Sequence, residues 1–295
     1  MVGRGQTGGE AEHAFVRLSH ATATSKAMDP TLLAVLLGAI IGLVLALTGA
    51  GGGVLAIPLL VFGLHLPVQQ AAPVGLVAVG LAAALGAALG LKEGIVRYRA
   101  ATLIGVAGML MAPIGVGLAQ LLPNRPLLGA FSLVLLYTAW RLLRKKPIGP
   151  TAVVRVPCQV SAADHRIAWT LPCARALGGT GLLSGLLSGL LGVGGGFVIV
   201  PALTRYTDLD VRSIQVTSLA VIALVSVSGV SAAALHGAVP WLVALPFAGG
   251  AAAALLVGRL LASRIDGKRL QQAFAWFTVG VALLMLARAF GWITT

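Results

Sequence analysis

Two glycine clusters, each set inside long apolar sequence, constrain this chain most: Gly49-Ala50-Gly51-Gly52-Gly53 with Pro58, and Gly192-Val193-Gly194-Gly195-Gly196 with Pro201. Lipid offers no hydrogen bonds, so backbone freed by a helix break at membrane depth must be satisfied by protein or by a water-filled cavity. A broken helix at that depth is therefore a candidate binding site. Breaks at corresponding places in two halves point to a duplicated unit that holds a substrate near the bilayer midplane.

Composition fits a bilayer solvent. Of 295 residues, 58% are hydrophobic and 10% charged, and the mean hydropathy is +0.97, outside the usual range of soluble domains. The net charge of +13 does not indicate a nucleic-acid partner. Its basic residues fall between apolar stretches, singly or in small groups, without interleaved aromatics. Residues 1–27 are polar and lack the apolar core of a signal peptide, so a disordered tail, dispensable for insertion, is expected. Met28, just before Asp29-Pro30, reads as a candidate start. Cys158 and Cys173 match no zinc or redox spacing and are expected to be incidental.

Apolar stretches occupy about 32–48, 54–64, 74–91, 100–122 and 127–143, and the order recurs at 176–191, 197–203, 216–235, 241–262 and 270–290. A constant shift of 143 superposes Gly38 on Gly181, Gly42 on Gly185, Pro58 on Pro201, Gly115 on Gly258 and Phe131 on Phe274 without a gap. The organisation expected is a tail (1–27), a first transmembrane repeat (28–143), a polar cytoplasmic linker (144–175) and a second repeat (176–295). The first two pieces of each half are short against roughly 30 Å of hydrocarbon, and they read as a hairpin broken at the glycines. Three spanning helices follow in each half. The fold class is thus an all-α polytopic membrane protein.

An odd number of crossings per half makes the second repeat an inverted copy, and charge tests this. Odd crossings gather 16 of the 21 basic residues on one side, including Lys92, Arg97, Arg99, the linker, Arg205, Arg212, Arg259 and Arg269. Outside the tail, the other side keeps only Arg125 and Arg288. The positive-inside rule then puts the linker in the cytoplasm.

A helix that begins just after each cluster presents N–H groups without internal partners and the positive end of its dipole. Gly51, Gly52 and Gly53, with Gly194, Gly195 and Gly196, are therefore the candidate anion-binding backbone, where glycine permits close approach. The competing reading is that the glycines only let helices pack closely. Isolated glycines such as Gly38 are assigned to packing, and Gly38→Ala is expected to be mild. Thr48, Gln70, Gln215, Thr217, Ser218, Ser226 and Ser228 are candidate polar partners, although such side chains also bond their own helix. His65 and His236 lie at apolar-segment ends, where a coupling proton could be exchanged.

The glycine breaks, the proline five residues after each triplet and Thr217-Ser218-Leu219 together resemble the TauE/SafE family of sulfite exporters and related permeases for sulfur-containing anions. The resemblance covers Met28 to Phe290 and carries onto the two glycine triplets, Pro58, Pro201, Thr217 and Ser218. The first half departs from it, with Val74-Gly75 after Pro73 in the place of Thr217-Ser218. The implied function is a permease moving a small anion, such as sulfite or a sulfonate, by alternating access. A passive anion channel or a scaffold without transport is the alternative.

All eight acidic residues lie in the tail, the linker or segment ends, whereas a cation exchanger usually keeps a carboxylate at mid-membrane. With no HExxH, GxSxG or paired intramembrane acids, neither an enzyme nor a metal or other cofactor is expected. The expected partners are a small anion and the lipid bilayer of a bacterial inner membrane. A homodimer and the identity of any coupling ion are left open.

Overall fold

The structure, a computed structural model, describes residues 29–48, 52–143, 158, 170–261 and 267–289. Among these residues there are ten helices and no strand, only an isolated bridge between Cys158 and Thr207. The first half supplies α1 (Pro30–Thr48), α2 (Gly52–Gly63), α3 (Val68–Lys92), α4 (Tyr98–Leu121) and α5 (Asn124–Leu143). The second supplies α6 (Leu171–Leu191), α7 (Gly196–Tyr206), α8 (Val211–Leu235), α9 (Trp241–Leu261) and α10 (Gly267–Ala289). Five of them, α1, α3, α4, α8 and α9, contain apolar spans long enough to cross a membrane.

Local chemistry sets the helix ends. Pro67 precedes α3 in extended conformation. Asp210 caps α8 by accepting from the Ser213 N–H at 3.0 Å, and Thr170 caps α6 by accepting from the Cys173 N–H at 3.4 Å. That second cap starts α6 at Leu171, ahead of its apolar stretch. The arms of each broken hairpin are consequently unequal, which corrects the expectation of two short pieces. α1 and α6 have 19 and 21 residues, about 30 Å of helix, whereas α2 and α7 have 12 and 11, about 17 Å.

The 143-residue correspondence recurs in the packing. α1 lies on α9, and a β-carbon on Gly38 or Gly42 would overlap the carbonyl of Phe247 or Ala251. The counterparts repeat this contact: Gly181 and Gly185 of α6 lie against the carbonyls of Ile104 and Gly108 of α4. Each hairpin's long arm thus packs on the other half. The expectation that Gly38→Ala is mild fails here, because a backbone carbonyl cannot swing away as a side-chain tip can.

The central pair, α3 and α8, crosses antiparallel. Added β-carbons would meet Ser226 Cβ at 2.5 Å from Gly80, Leu219 at 2.8 Å from Gly86 and Leu76 at 3.2 Å from Gly229, so numbering falls along α8 as it rises along α3. α3 and α8 correspond under the 143-residue shift, and they run in opposite directions.

Polar bonds then define two ends of the bundle. At one end Glu93 pairs with Arg212 at 3.0 Å and with Arg259 at 3.2 Å, Ser213 Oγ donates to the Ile95 carbonyl, and Arg97 N–H donates to Thr217 Oγ1. This end carries Lys92, Arg97 and Arg99 around the α3–α4 turn and Arg212 and Arg259 beside Glu93. The opposite end holds the Val68 N–H bond to Asn124 Oδ1 and the Gln69 bond to the Leu122 carbonyl. Glu93 joins the halves through partly exposed groups, Arg212 at 67% and Arg259 at 23% exposure. Glu93→Gln is therefore expected to cost no more than about 1 kcal/mol. The loss should shrink as salt is raised, read from thermal unfolding at two ionic strengths.

Candidate functional site

The second break is held open by three left-handed glycines. Gly192 ends α6 with φ 68°, and Gly194 and Gly195 follow at φ 75° and 72°, a region that costs an L-residue roughly 1–2 kcal/mol. Gly192 N–H still donates to the Ser188 carbonyl at 2.8 Å, and the α7 ladder begins where Val198 and Ile199 N–H donate to Gly195 O. The N–H groups of Gly194, Gly195, Gly196 and Phe197 lie ahead of that first bond, at the positive end of α7. Pro201 lies inside α7 and Pro58 inside α2. Each lacks an N–H and so frees the carbonyl four residues before it, Phe197 or Val54.

The start of α2 meets the second break. A β-carbon on Gly53, in the first turn of α2, would overlap the Val193 carbonyl in the second break. One on Gly75 would stand 2.9 Å from the Gly192 carbonyl. Gly194 sits between Val79 of α3 and Ile222 of α8, at 3.0 and 2.9 Å from an added β-carbon, and Val79 also approaches Gly53 at 3.4 Å. Val79 and Ile222 are 143 residues apart, and each lies near the middle of its helix. The N-termini of the two half-length helices α2 and α7 therefore converge at the centre of the bundle.

Burial is complete around them. Gly52 and Gly53 are buried, and so is Gly196. An added β-carbon on Gly52 would meet Ile41 and Leu45 of α1 at 2.7–2.8 Å, and one on Gly195 would meet the Ser184 carbonyl at 2.8 Å. Gly51 and the side chain of Thr48 lie outside the described residues.

The other sequence candidates are spread along the helices. Gln70 lies at the end of α3 and lines a cavity of about 370 Å³ with Gln69, Gln120 and His236; it is about 14 Å along α3 from Val79. His65 is exposed on the α2–α3 connection. Thr217 and Ser218 are fully buried but engaged, Thr217 with Arg97 N–H and Ser218 with the Gln215 carbonyl of its own helix at 2.7 Å. They and Gln215 lie about 6–11 Å along α8 from Ile222, toward the Glu93 end. Ser228 donates to the Met109 carbonyl at 2.7 Å.

Among the described residues, two buried hydroxyls have no protein hydrogen-bond partner, Ser226 and Ser188, and such groups call for an explanation such as a functional role or a bound water. Ser188 was not among the sequence candidates. The available signal was one-sided polarity: Ser184 and Ser188, one turn apart just before the second break, replace Ile41 and Leu45 of the first half. Ser226 instead borders an apolar cavity of about 920 Å³, lined by corresponding pairs such as Val77 and Ala220, Gly80 and Ala223, and Ala84 and Val227. None of the break residues lines it.

Ten helices among the described residues, five of them with membrane-length apolar spans, define a polytopic membrane protein. The family model described as sulfite exporter TauE/SafE matches residues 34–285, and the chain belongs to that family. Two curated relatives from Xylella fastidiosa, each described as a probable membrane transporter protein, are similar to it. The relative from strain Temecula1 is 27% identical over 259 residues, 85% of this chain and 93% of its own length. The one from strain 9a5c is 28% identical over 261 residues, with the same coverage. No solved structure matches the chain significantly. The protein is therefore an integral membrane protein of a transporter family.

Proposed function

We propose that the chain is a permease rather than an enzyme, and that it moves a small anion, a sulfur oxyanion or organosulfonate, by alternating access. The meeting of the α2 and α7 N-termini carries this reading. Partial positive charge converges from two directions on a point where Gly53, Gly194 and Gly196 let an oxyanion approach backbone N–H groups. Ser188 adds a free hydroxyl on the helix that leads into the second break. Close packing of the breaks fits a state in which the site is closed.

The antiparallel α3–α8 pair and the exchanged α1–α9 and α4–α6 contacts support two repeats inverted across the bilayer. The basic end then faces the cytoplasm of a bacterial inner membrane. Purified protein in liposomes, loaded with labelled sulfite, thiosulfate, methanesulfonate or small carboxylates, tests the transport reading. Saturable counterflow of one anion class is expected; exchange of none of them would refute it, and conductance far above carrier turnover would assign a channel instead. Sidedness is tested separately in a Cys158→Ser/Cys173→Ser background. Cysteines at Arg99 and Arg212 should react only from the cytoplasm and one at Arg125 only from outside. Labelling of Arg99 and Arg212 positions from opposite faces would sink the inverted arrangement.

A further inference from the structure

The two cysteines expected to be incidental are joined in a disulfide, Cys158 to Cys173, with 5.0 Å between their α-carbons. Both are fully buried. Cys173 lies in the first turn of α6, beside its Thr170 cap. Cys158 is fixed at the far end of α7: its N–H donates to the Tyr206 carbonyl at 3.1 Å, and it forms the bridge with Thr207. The bond therefore ties the outer ends of the two arms whose inner ends meet at the glycine break. Under the 143-residue shift Cys173 corresponds to Pro30 and Cys158 to Phe15, and neither position carries a thiol. Only one of two otherwise matched hairpins has the tie.

The tied end is the end that carries the basic residues. Disulfides in a reducing cytoplasm are usually transient and redox-sensing, whereas permanent ones belong to oxidising compartments. We propose that Cys158 and Cys173 form a reversible oxidation site that latches the second broken hairpin: as the disulfide it holds the α6 and α7 ends together and slows transport, and as two thiols it frees α7 to move. This rests on the cytoplasmic placement of the linker in the proposed function. Oxidation is by exchange with a low-molecular-weight disulfide. The Cys173 thiolate attacks one sulfur and expels a thiolate; the Cys158 thiolate then attacks Cys173 sulfur and expels the second. The protein gives up two protons and two electrons, and the small disulfide becomes two thiols.

The test uses the full chain in liposomes, equilibrated with oxidised or reduced glutathione, with thiols trapped by a maleimide mass tag. Labelled methanesulfonate serves as the transport probe because, unlike sulfite, it does not cleave disulfides. Hydrogen exchange over 196–206 provides a readout that needs no substrate. The mass tag should report interconversion, with exchange over α7 about tenfold slower in the disulfide form, equivalent to about 1.4 kcal/mol of added protection. Cys158→Ser and Cys173→Ser should each show the fast exchange at every redox setting. A pair that stays oxidised in excess reduced thiol, or that interconverts without altering exchange over α7, overturns the latch. Should only transport fail to respond while exchange does, the latch does not regulate transport and the proposal also falls. External labelling of Arg99 and Arg212 positions would overturn the cytoplasmic placement, and the latch with it, while leaving the permease reading to its own counterflow assay.

Discussion

Gly195→Val is expected to abolish anion counterflow. Gly195 has φ 72°, which costs an L-residue roughly 1–2 kcal/mol and a β-branched one more. Its β-carbon would press on the Ser184 carbonyl at 2.8 Å, and overpacking of that kind costs about 1–3 kcal/mol. Both effects fall on the turn that aims the α7 N-terminus, so loss of function and some loss of folded protein are expected together. Gly229→Ala is the control, because its nearest neighbour is a Leu76 methyl at 3.2 Å, which can shift. That variant should keep wild-type yield and more than about half of the activity, within the usual effect of tolerated core changes. The decisive measurement is anion binding to the folded fraction of Gly195→Val in detergent. Wild-type affinity there would show that the glycine break is not the site.

Gly42→Ala and Gly185→Ala should both deplete folded protein from the membrane, and by similar amounts. Added methyl groups would overlap the Ala251 carbonyl in one case and the Gly108 carbonyl in the other. These are corresponding contacts of the two halves, and each lies between a long hairpin arm and a helix of the opposite half. Small residues at such crossings let backbones approach closely in lipid, so an added methyl separates the helices along their whole contact. A loss of about 1–3 kcal/mol each is expected, measured as the drop in thermal midpoint of the detergent-solubilised protein. If Gly42→Ala destabilised and Gly185→Ala did not, the equivalence of the two interfaces would be wrong. At Gly129, where an added β-carbon meets nothing within 4 Å, alanine should be neutral.

What the sequence alone determined follows from the solvent each residue requires. Uncharged apolar runs with basic residues confined between them specify helices in lipid, and a gap-free 143-residue shift relates the two halves of the sequence. Runs of glycine followed by proline specify where those helices must break, since lipid cannot satisfy open backbone by chance. The family resemblance rested on these glycines and prolines together with Thr217-Ser218-Leu219. Tertiary structure alone decided which backbones meet across more than a hundred residues of chain. It brought Gly53 against Val193, and it placed Gln70, Thr217 and Ser218 along the helices away from the breaks. It turned Gly38 from a tolerant packing position into a contact with a backbone carbonyl, and it joined Cys158 to Cys173 beside the end of α7. Local pattern reports whether a position faces lipid, water or protein. It does not report which atom lies opposite, because that is fixed by how whole helices pack, as where the starts of the half-length helices α2 and α7 come together from separate halves of the chain.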